Sequence, residues 1–365
     1  MKDPTSASIA GAVTKTGWAG RLIALLGGGV LALSAAEIVV RTAMPHWREF
    51  WAGGFITVDT SAGTALLIGR PGYDGMFAQS DGDFRVRVRI NEHGLRNDAP
   101  VTAAHGQIWA VGDSMTFGWG VEAEQTFAEV AERAIGRGVY NVAWPGADVR
   151  GYHALIKRMP ADVRPAAVIV GLIVENDLAA YSAIRSGTLA FETDVGGDLG
   201  PLYWVKELLA ASSALYNFLA VTLKRSNIVV NILVAIGVVD QTLAYPDLPD
   251  RADVDASIAS TADELVALRR LLPEDAPFAV LVVPGRFEIR DGDPLYRDVR
   301  MKMHAALAAR GIAAIDVFED LRSAGFAATH FAHDGHWNAR GHEIAGQAVA
   351  AWLRTQGLDG DGGVR

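Results

Sequence analysis

The stretch Ile108-Trp109-Ala110-Val111-Gly112-Asp113-Ser114-Met115-Thr116-Phe117-Gly118 decides the fold. Its four leading residues are apolar without a polar interruption, which predicts a short strand buried on both faces rather than one face of a meander. Glycine and aspartate end that strand, and Glu124 to Ile135 follows as a helical stretch. Working outward, the same rhythm returns. Val139 to Ala143 and Ala166 to Val174 read as strands, as do Phe278 to Val283 and Ala313 to Phe318, with helices expected over Asp298 to Ala309 and Ala339 to Leu353. Buried strands alternating with helices predict an α/β domain with a parallel sheet covered on both sides.

Upstream of this domain the chain changes character. Leu22 to Val40 is almost wholly apolar, with Glu37 its one charge, and at helical rise it spans a hydrocarbon core of about 30 Å. Residues 18–41 are therefore expected to form a transmembrane anchor behind a cytoplasmic tail of residues 1–17. A cleaved signal peptide is the competing reading, with Leu22 to Leu33 as its apolar core and Ala32-Leu33-Ser34 as the small-residue cleavage site. Either reading puts the remainder of the chain outside the cytoplasm. Residues 42–105 are rich in glycine and short β-prone runs, and Phe84 to Ile90 (FRVRVRI) alternates apolar residues with arginine. That period of two predicts a half-buried strand whose arginines lie on a solvated or protected face.

The rhythm breaks over about residues 187–260, where an inserted helical lobe is expected. Val205 to Leu223 is a helical candidate, and Ile228 to Val239 is an apolar run too short to cross a bilayer. The globular domain is thus expected over 106–356, with a disordered Gly/Asp-rich tail at 357–365.

Composition removes several classes of function. The chain has 365 residues, no cysteine and a formal charge of −9, so disulfide frameworks, thiolate metal sites and a cysteine nucleophile are excluded. It has no basic block of the kind nucleic-acid binding requires.

Ser114 stands directly after a buried strand and at a helix start. In an open α/β sheet that is where ligands bind, beside backbone N–H groups without intrahelical partners. The serine could equally cap the helix. Neither the G-x-S-x-G elbow nor a phosphate-binding Walker loop fits the segment. Near the other end of the domain lies His330-Phe331-Ala332-His333-Asp334-Gly335-His336-Trp337-Asn338-Ala339-Arg340-Gly341-His342. A serine hydroxyl needs a base and a group that fixes the base's tautomer, and His336 with Asp334 supplies such a pair. The same segment allows a metal reading, since His330, His333, His336 and His342 with Asp334 are ligand types of a hydrolytic zinc site. On the first reading no metal or other cofactor is needed. His330 and His333 then lie in a loop at the pocket mouth, and His342 packs or caps at the start of the last helix. Trp119, Trp144 and Trp337 lie within the motifs, either as core or as platforms for a sugar.

Taken in order, Gly112-Asp113-Ser114, Asn141-Val142-Ala143-Trp144-Pro145-Gly146, Val174-Glu175-Asn176-Asp177 and Asp334-Gly335-His336 resemble the four blocks of the SGNH (GDSL-type) hydrolase superfamily. Asn91-Glu92-His93-Gly94-Leu95-Arg96 is similar to the stretch preceding the sheet domain in its membrane-anchored bacterial members. The resemblance covers roughly His105 to Leu353 and leaves the insertion unmatched. It implies a flavodoxin-like three-layer sandwich, with Ser114 as nucleophile, His336 as base and Asp334 as its orienting acid. It also implies an oxyanion hole formed by the N–H groups of Ser114 and Gly146 and the side-chain amide of Asn176. Asp113 is expected to support the nucleophile turn and Asp177 to cap a following helix, while Glu175 faces substrate or solvent. The chain departs from the family pattern at Ala143 and Val174, where glycine is usual, and in an Asp-x-His one residue shorter than Asp-x-x-His.

The expected activity is that of a membrane-anchored extracytoplasmic esterase or O-acyltransferase acting on an acylated glycan or similar envelope polymer. Transfer would require a separate membrane-bound acyl donor. A non-catalytic glycan-binding or assembly subunit is the alternative.

Overall fold

A computed structural model describes residues 17–59, 65–79, 82–175, 177–178, 192–193, 203–224 and 251–360. In chain order the elements are α1 (Trp18–Ala43), β1 (Ile56–Asp59), β2 (Ala65–Gly69), β3 (Asp74–Ala78), β4 (Arg85–Arg89), β5 (Ile108–Gly112), α2 (Ser114–Phe117), α3 (Phe127–Ile135), β6 (Val139–Ala143), α4 (Val149–Arg158) and β7 (Ala167–Ile173). There follow β8 (Glu192–Thr193), α5 (Tyr203–Ser212), α6 (Ala214–Lys224), α7 (Arg251–Arg269), β9 (Phe278–Val283), α8 (Arg286–Asp291), α9 (Pro294–Ala309), β10 (Ala313–Asp316), α10 (Phe318–Ala324), α11 (Phe326–Thr329) and α12 (Ala339–Thr355).

The central sheet has five parallel strands in the order β10-β9-β7-β5-β6. Counted within the sheet this is 2-1-3-4-5, the flavodoxin-like order, whose switch point lies at β5. Side-chain alternation divides each strand between two cores. Trp109, Val111, Val168, Val170, Val280 and Val282 face a core shared with α4, α7 and α9. Ile108, Ala110, Ile169, Ala279 and Leu281 face the other, built with α3 and α12. The result is three layers, and it accounts for the uninterrupted apolar runs that identify these strands.

Local chemistry moves several element boundaries. The helix expected from Glu124 instead begins at Phe127, because Thr126 is extended and its hydroxyl accepts from Glu129 N–H at 3.3 Å. The helix expected from Asp298 starts four residues earlier, where Asp293 caps Leu295 N–H at 2.8 Å and Pro294 occupies a first-turn position. Strand β10 stops at Asp316, whose carboxylate accepts the Phe318 N–H at 2.9 Å and starts α10. Within the expected insertion, Val205 to Leu223 is two helices rather than one, broken at Ser213, and α7 begins at Arg251 and packs on α4 and α9 of the sheet domain. The apolar run Ile228 to Val239 and the last five tail residues lie outside the described residues.

Ahead of the sheet, α1 is long and apolar enough to cross a membrane and has no buried residue. Strands β1 and β2 form one antiparallel pair, extended by β8, while β3 and β4 form another. On β4 the arginines are paired. Arg85 bonds Glu49 at 2.7 Å, Arg87 bonds Asp74 at 2.6 Å and Arg89 bonds Asp98 at 2.5 Å, while Val86 and Val88 point into the core.

Helix α12 approaches α3 at Gly346, where a Cβ would collide with the Val130 side chain and stand 2.8 Å from the Phe127 carbonyl oxygen. Gly346→Val is therefore expected to destabilise the domain by roughly 2–4 kcal/mol through overpacking, read as a lowered thermal midpoint.

Candidate active site

Strand β5 delivers Gly112 to the carboxyl edge of the sheet with every residue buried. Asp113 then caps α2, accepting Met115 N–H at 2.9 Å, and makes Ser114 the first helical residue. Its other carboxylate oxygen lies 3.3 Å from Ser114 Oγ. Helix α2 lasts one turn, and the loop after it is held by Arg96. This guanidinium donates to the carbonyls of Gly118 at 2.6 Å, Phe117 at 3.2 Å, Val121 at 2.7 Å and Arg87 at 3.1 Å. Arg96 is buried, which pushes its pKa down to about 10.

The second half of the site comes from the turn ahead of α12. His330 and Trp337 form an antiparallel bridge, Phe331 N–H bonds the His336 carbonyl at 2.9 Å, and Gly335 turns the chain at a φ of 81°. Within this turn the Asp334 carboxylate accepts the His336 Nδ1–H. That bond fixes the neutral tautomer with its lone pair on Nε2, which lies 2.8 Å from Ser114 Oγ. Burial opposes ionisation of Asp334, but the bonds from His336 and from the Trp119 indole outweigh it and hold its pKa below the ordinary carboxylate value. The Trp119 ring also lies 6.0 Å from the imidazole ring, tilted by 34°. Such an array can pass a proton from hydroxyl to imidazole while keeping the resulting cation beside a carboxylate.

The remaining predicted residues divide. Gly146 follows β6 at the same sheet edge as Ser114, exposed and with a φ of 85°, so its backbone adopts a conformation glycine favours. Asn176 lies outside the described residues. Asp177 is turned inward instead of capping a described helix: it accepts from Ile173 N–H at 2.7 Å and Tyr152 O–H at 2.6 Å, and burial with Asp113 nearby pushes its pKa well up. Glu175 is half-buried. It pairs with Arg286 Nε at 3.1 Å, and burial raises its pKa against that attraction. Arg286 in turn reaches the Asp334 carbonyl at 3.5 Å.

The histidines go to separate partners. His330 is buried against Phe326 with rings 4.4 Å apart, rather than lying at a pocket mouth, and burial lowers its pKa to about 4. His333 pairs with Asp83 at 2.8 Å. His342 is fully buried, accepts Phe127 N–H at 3.2 Å and is pushed down to about 3. Among the described residues no three histidine or carboxylate side chains converge as metal ligands. Trp144 and Trp337 are core residues, at 1% and 0% exposure, so neither offers a face to a sugar.

Arg96, Trp119 and Arg286 support the site without having been assigned to it from sequence. Arg96 alone carried a signal, in the resemblance of Asn91 to Arg96 to the segment before the sheet domain. For Trp119 and Arg286 only the fold reveals the partner.

No protein-family model and no curated protein matches the chain. Solved structures similar to it include a member of the lipolytic G-D-S-L family from Veillonella parvula, at 14% identity over 68% of this chain and 98% of that one, with a TM-score of 0.38. Another is the lipase/acylhydrolase from Enterococcus faecalis, at 10% identity over 68% and 96% with a TM-score of 0.40. A third is a carbohydrate esterase family 2 enzyme with a carbohydrate-binding domain from Corynascus thermopiles (Myceliophthora fergusii), at 16% identity over 69% and 67% with a TM-score of 0.40.

Arg96→Met leaves three carbonyls of the segment after Ser114 and the Arg87 carbonyl of β4 without their shared donor and is expected to cost about 3–5 kcal/mol, measured by denaturant unfolding. Arg96→Lys is expected to recover only a minor part, because an ammonium cannot reach all four acceptors.

His330 and His342 are held neutral in the folded state, whereas the unfolded chain protonates them near pH 6.5. The unfolded state therefore binds more protons as pH falls, and stability is expected to drop between pH 6.5 and about 4 by up to about 1.4 kcal/mol per pH unit for each histidine. Denaturation midpoints across this range should flatten by one proton's contribution in His342→Gln.

Proposed function

We propose that the chain is an SGNH-type serine hydrolase or O-acyltransferase that works on ester-linked acyl groups of an extracytoplasmic glycan or envelope polymer, held to the membrane by α1. The observation that carries the proposal is the line Ser114 Oγ, His336 Nε2, His336 Nδ1, Asp334 carboxylate, with 2.8 Å between the hydroxyl and the imidazole.

On this reading Ser114 Oγ attacks the ester carbonyl carbon while His336 Nε2 takes the hydroxyl proton. Negative charge develops on the carbonyl oxygen. The Ser114 N–H, unpaired within its helix, would meet it together with the Gly146 N–H and the Asn176 amide, and such preorganised donors contribute several kcal/mol to transition-state stabilisation. Collapse of the tetrahedral intermediate breaks the bond to the alcohol oxygen, which leaves with the proton from His336. The acyl group remains on Ser114. Water, deprotonated by the same Nε2, then releases a carboxylic acid and restores the serine. A sugar hydroxyl in place of water would instead receive the acyl group, with a separate membrane protein as a suitable donor of activated acyl groups. Asp334 keeps the imidazole in the required tautomer throughout. No step calls for a metal or an organic cofactor.

Support for the membrane-bound, extracytoplasmic setting comes from the length and apolarity of α1, from Lys2 and Lys15 ahead of it and from Arg21 in its first turn.

A fluorophosphonate probe is expected to label Ser114 covalently, and labelling should vanish in Ser114→Ala and His336→Ala. Asp334→Asn should keep the fold and lower the esterase rate by about 10³–10⁴-fold. Absence of labelling in folded protein would favour a binding subunit. Incubation with an acetyl ester, following free acetate and acetylated sugar together, separates the two acceptors: acetate alone indicates an esterase.

A further inference from the structure

Glu37 is the only acidic residue of α1, and its carboxylate is fully engaged by a segment far away in sequence. It accepts from Ser213 Oγ, Ala214 N–H and Leu215 N–H, each at 2.8 Å, and from Arg41 Nε at 2.6 Å. Arg41 completes the arrangement by donating to the Ser212 carbonyl at 2.6 Å. The first N–H groups of α6 are thus capped by a carboxylate from the anchor helix, and the turn joining α5 to α6 is fixed to it. Asn217 closes that turn from within, donating to Ala210 O at 2.6 Å and Ser213 O at 2.9 Å.

The level of this contact is set by the sequence of α1. Leu22 to Ala36 carries no charge and is bounded by Arg21 and Glu37, about 24 Å apart along the helix axis, so Glu37 falls toward the end of the apolar span, where a hydrocarbon core gives way to headgroups. From there the contacts continue outward. Arg41 lies 5.2 Å over the buried Trp47 ring, α6 packs on the turn at Trp47–Phe50, and Glu49 of that turn pairs with Arg85 on β4.

The described side chains of α5 and α6 are arranged inside out for a water-soluble hairpin. Facing the protein are Ala210, Ala214 and Asn217, with at most 7% of their surface exposed. Facing outward are Leu208, Leu209 and Leu219, at 37–57% exposure. A helix pair in water turns its large apolar side chains to the core. Small and polar residues against protein with large apolar residues outside is the distribution of a surface bathed by lipid.

We propose that α5 and α6 form a second membrane-seated element, lying at the boundary of headgroups and acyl chains with lipid as the occupant of their outer face, and locked by Glu37 to the anchor so that the sheet domain stands in one orientation on the bilayer. The proposal rests on α1 crossing the membrane.

The absence of native cysteine makes the test direct. Single substitutions Leu208→Cys, Leu209→Cys and Leu219→Cys in the full chain are labelled with a bimane fluorophore and reconstituted in phosphatidylcholine vesicles. Leu31→Cys on α1 and Ser323→Cys on the exposed surface of α10 serve as references. The expected result is quenching by doxyl-labelled lipid at the three hairpin positions at more than half the extent seen at Leu31, with shielding from aqueous iodide and the reverse pattern at Ser323. Iodide quenching at the hairpin equal to that at Ser323, with Leu31 in lipid, overturns the proposal alone. Shielding from both quenchers indicates a protein partner and also overturns it. If Leu31 itself escapes lipid quenching, the anchor and the proposal fall together. Glu37→Ala should at least halve lipid quenching at position 219 and leave Leu31 unchanged; equal quenching in that variant overturns the locking role of Glu37.

Discussion

The hydrogen bond between His336 and Ser114 joins residues 222 positions apart, and the fold can be understood as the means of bringing them within 2.8 Å. A parallel sheet makes this possible because each strand ends at the same edge. Strand β5 carries Ser114 there, β6 leads to Gly146, and β7 leads to Glu175 and Asp177. The histidine arrives by a different route, on a six-residue turn ahead of the last helix. That turn is closed by its own backbone bonds and seated against Trp119 and Phe84. The geometry is therefore set by backbone and packing.

Buried charge carries a large share of this positioning. Arg96 joins the Phe117, Gly118 and Val121 carbonyls after Ser114 to the Arg87 carbonyl of β4, Glu175 holds Arg286 beside the Asp334 turn, and Arg300 joins Glu288 at 3.0 Å and Asp316 at 2.9 Å across three elements. Burying such groups costs solvation, so their value lies less in net stability than in permitting a single arrangement, since any slippage would strand a charge in the core. Glu37 applies the same logic near the C-terminal end of α1. A carboxylate there is tolerated because a helix start and an arginine meet it.

How much was legible depended on whether a feature is local. Runs such as Val139–Ala143 and Phe278–Val283 match the observed strands residue for residue, because a strand buried on both faces leaves an unbroken apolar signature. Helix starts were less legible where a single side chain decides them, as Thr126 and Asp293 do. The serine, histidine and aspartate were visible from their chemistry and their position at element ends. The inward direction of the Asp177 carboxylate was not legible, because the direction of a carboxylate after a strand depends on what the core offers it, here Tyr152 from α4. His330 was misjudged for the same reason, with Phe326 as the partner. The arginine face of β4 gave an alternation but not its partners, Glu49, Asp74 and Asp98, which come from three separate segments.

By itself the sequence determined the parallel α/β architecture, an apolar first helix able to cross a bilayer, the absence of thiol chemistry and the residue types available for a serine-based site. Those properties follow from periodicity and composition, which are local. Only the tertiary structure decided that His336 reaches Ser114, that Trp119 and Arg286 support the Asp334 turn, that Arg96 holds the loop after Ser114, and that Glu37 receives the start of α6. Each is a pairing between distant segments, and a chain records in its sequence what each residue can bond but not which residue the folded layers will bring to it.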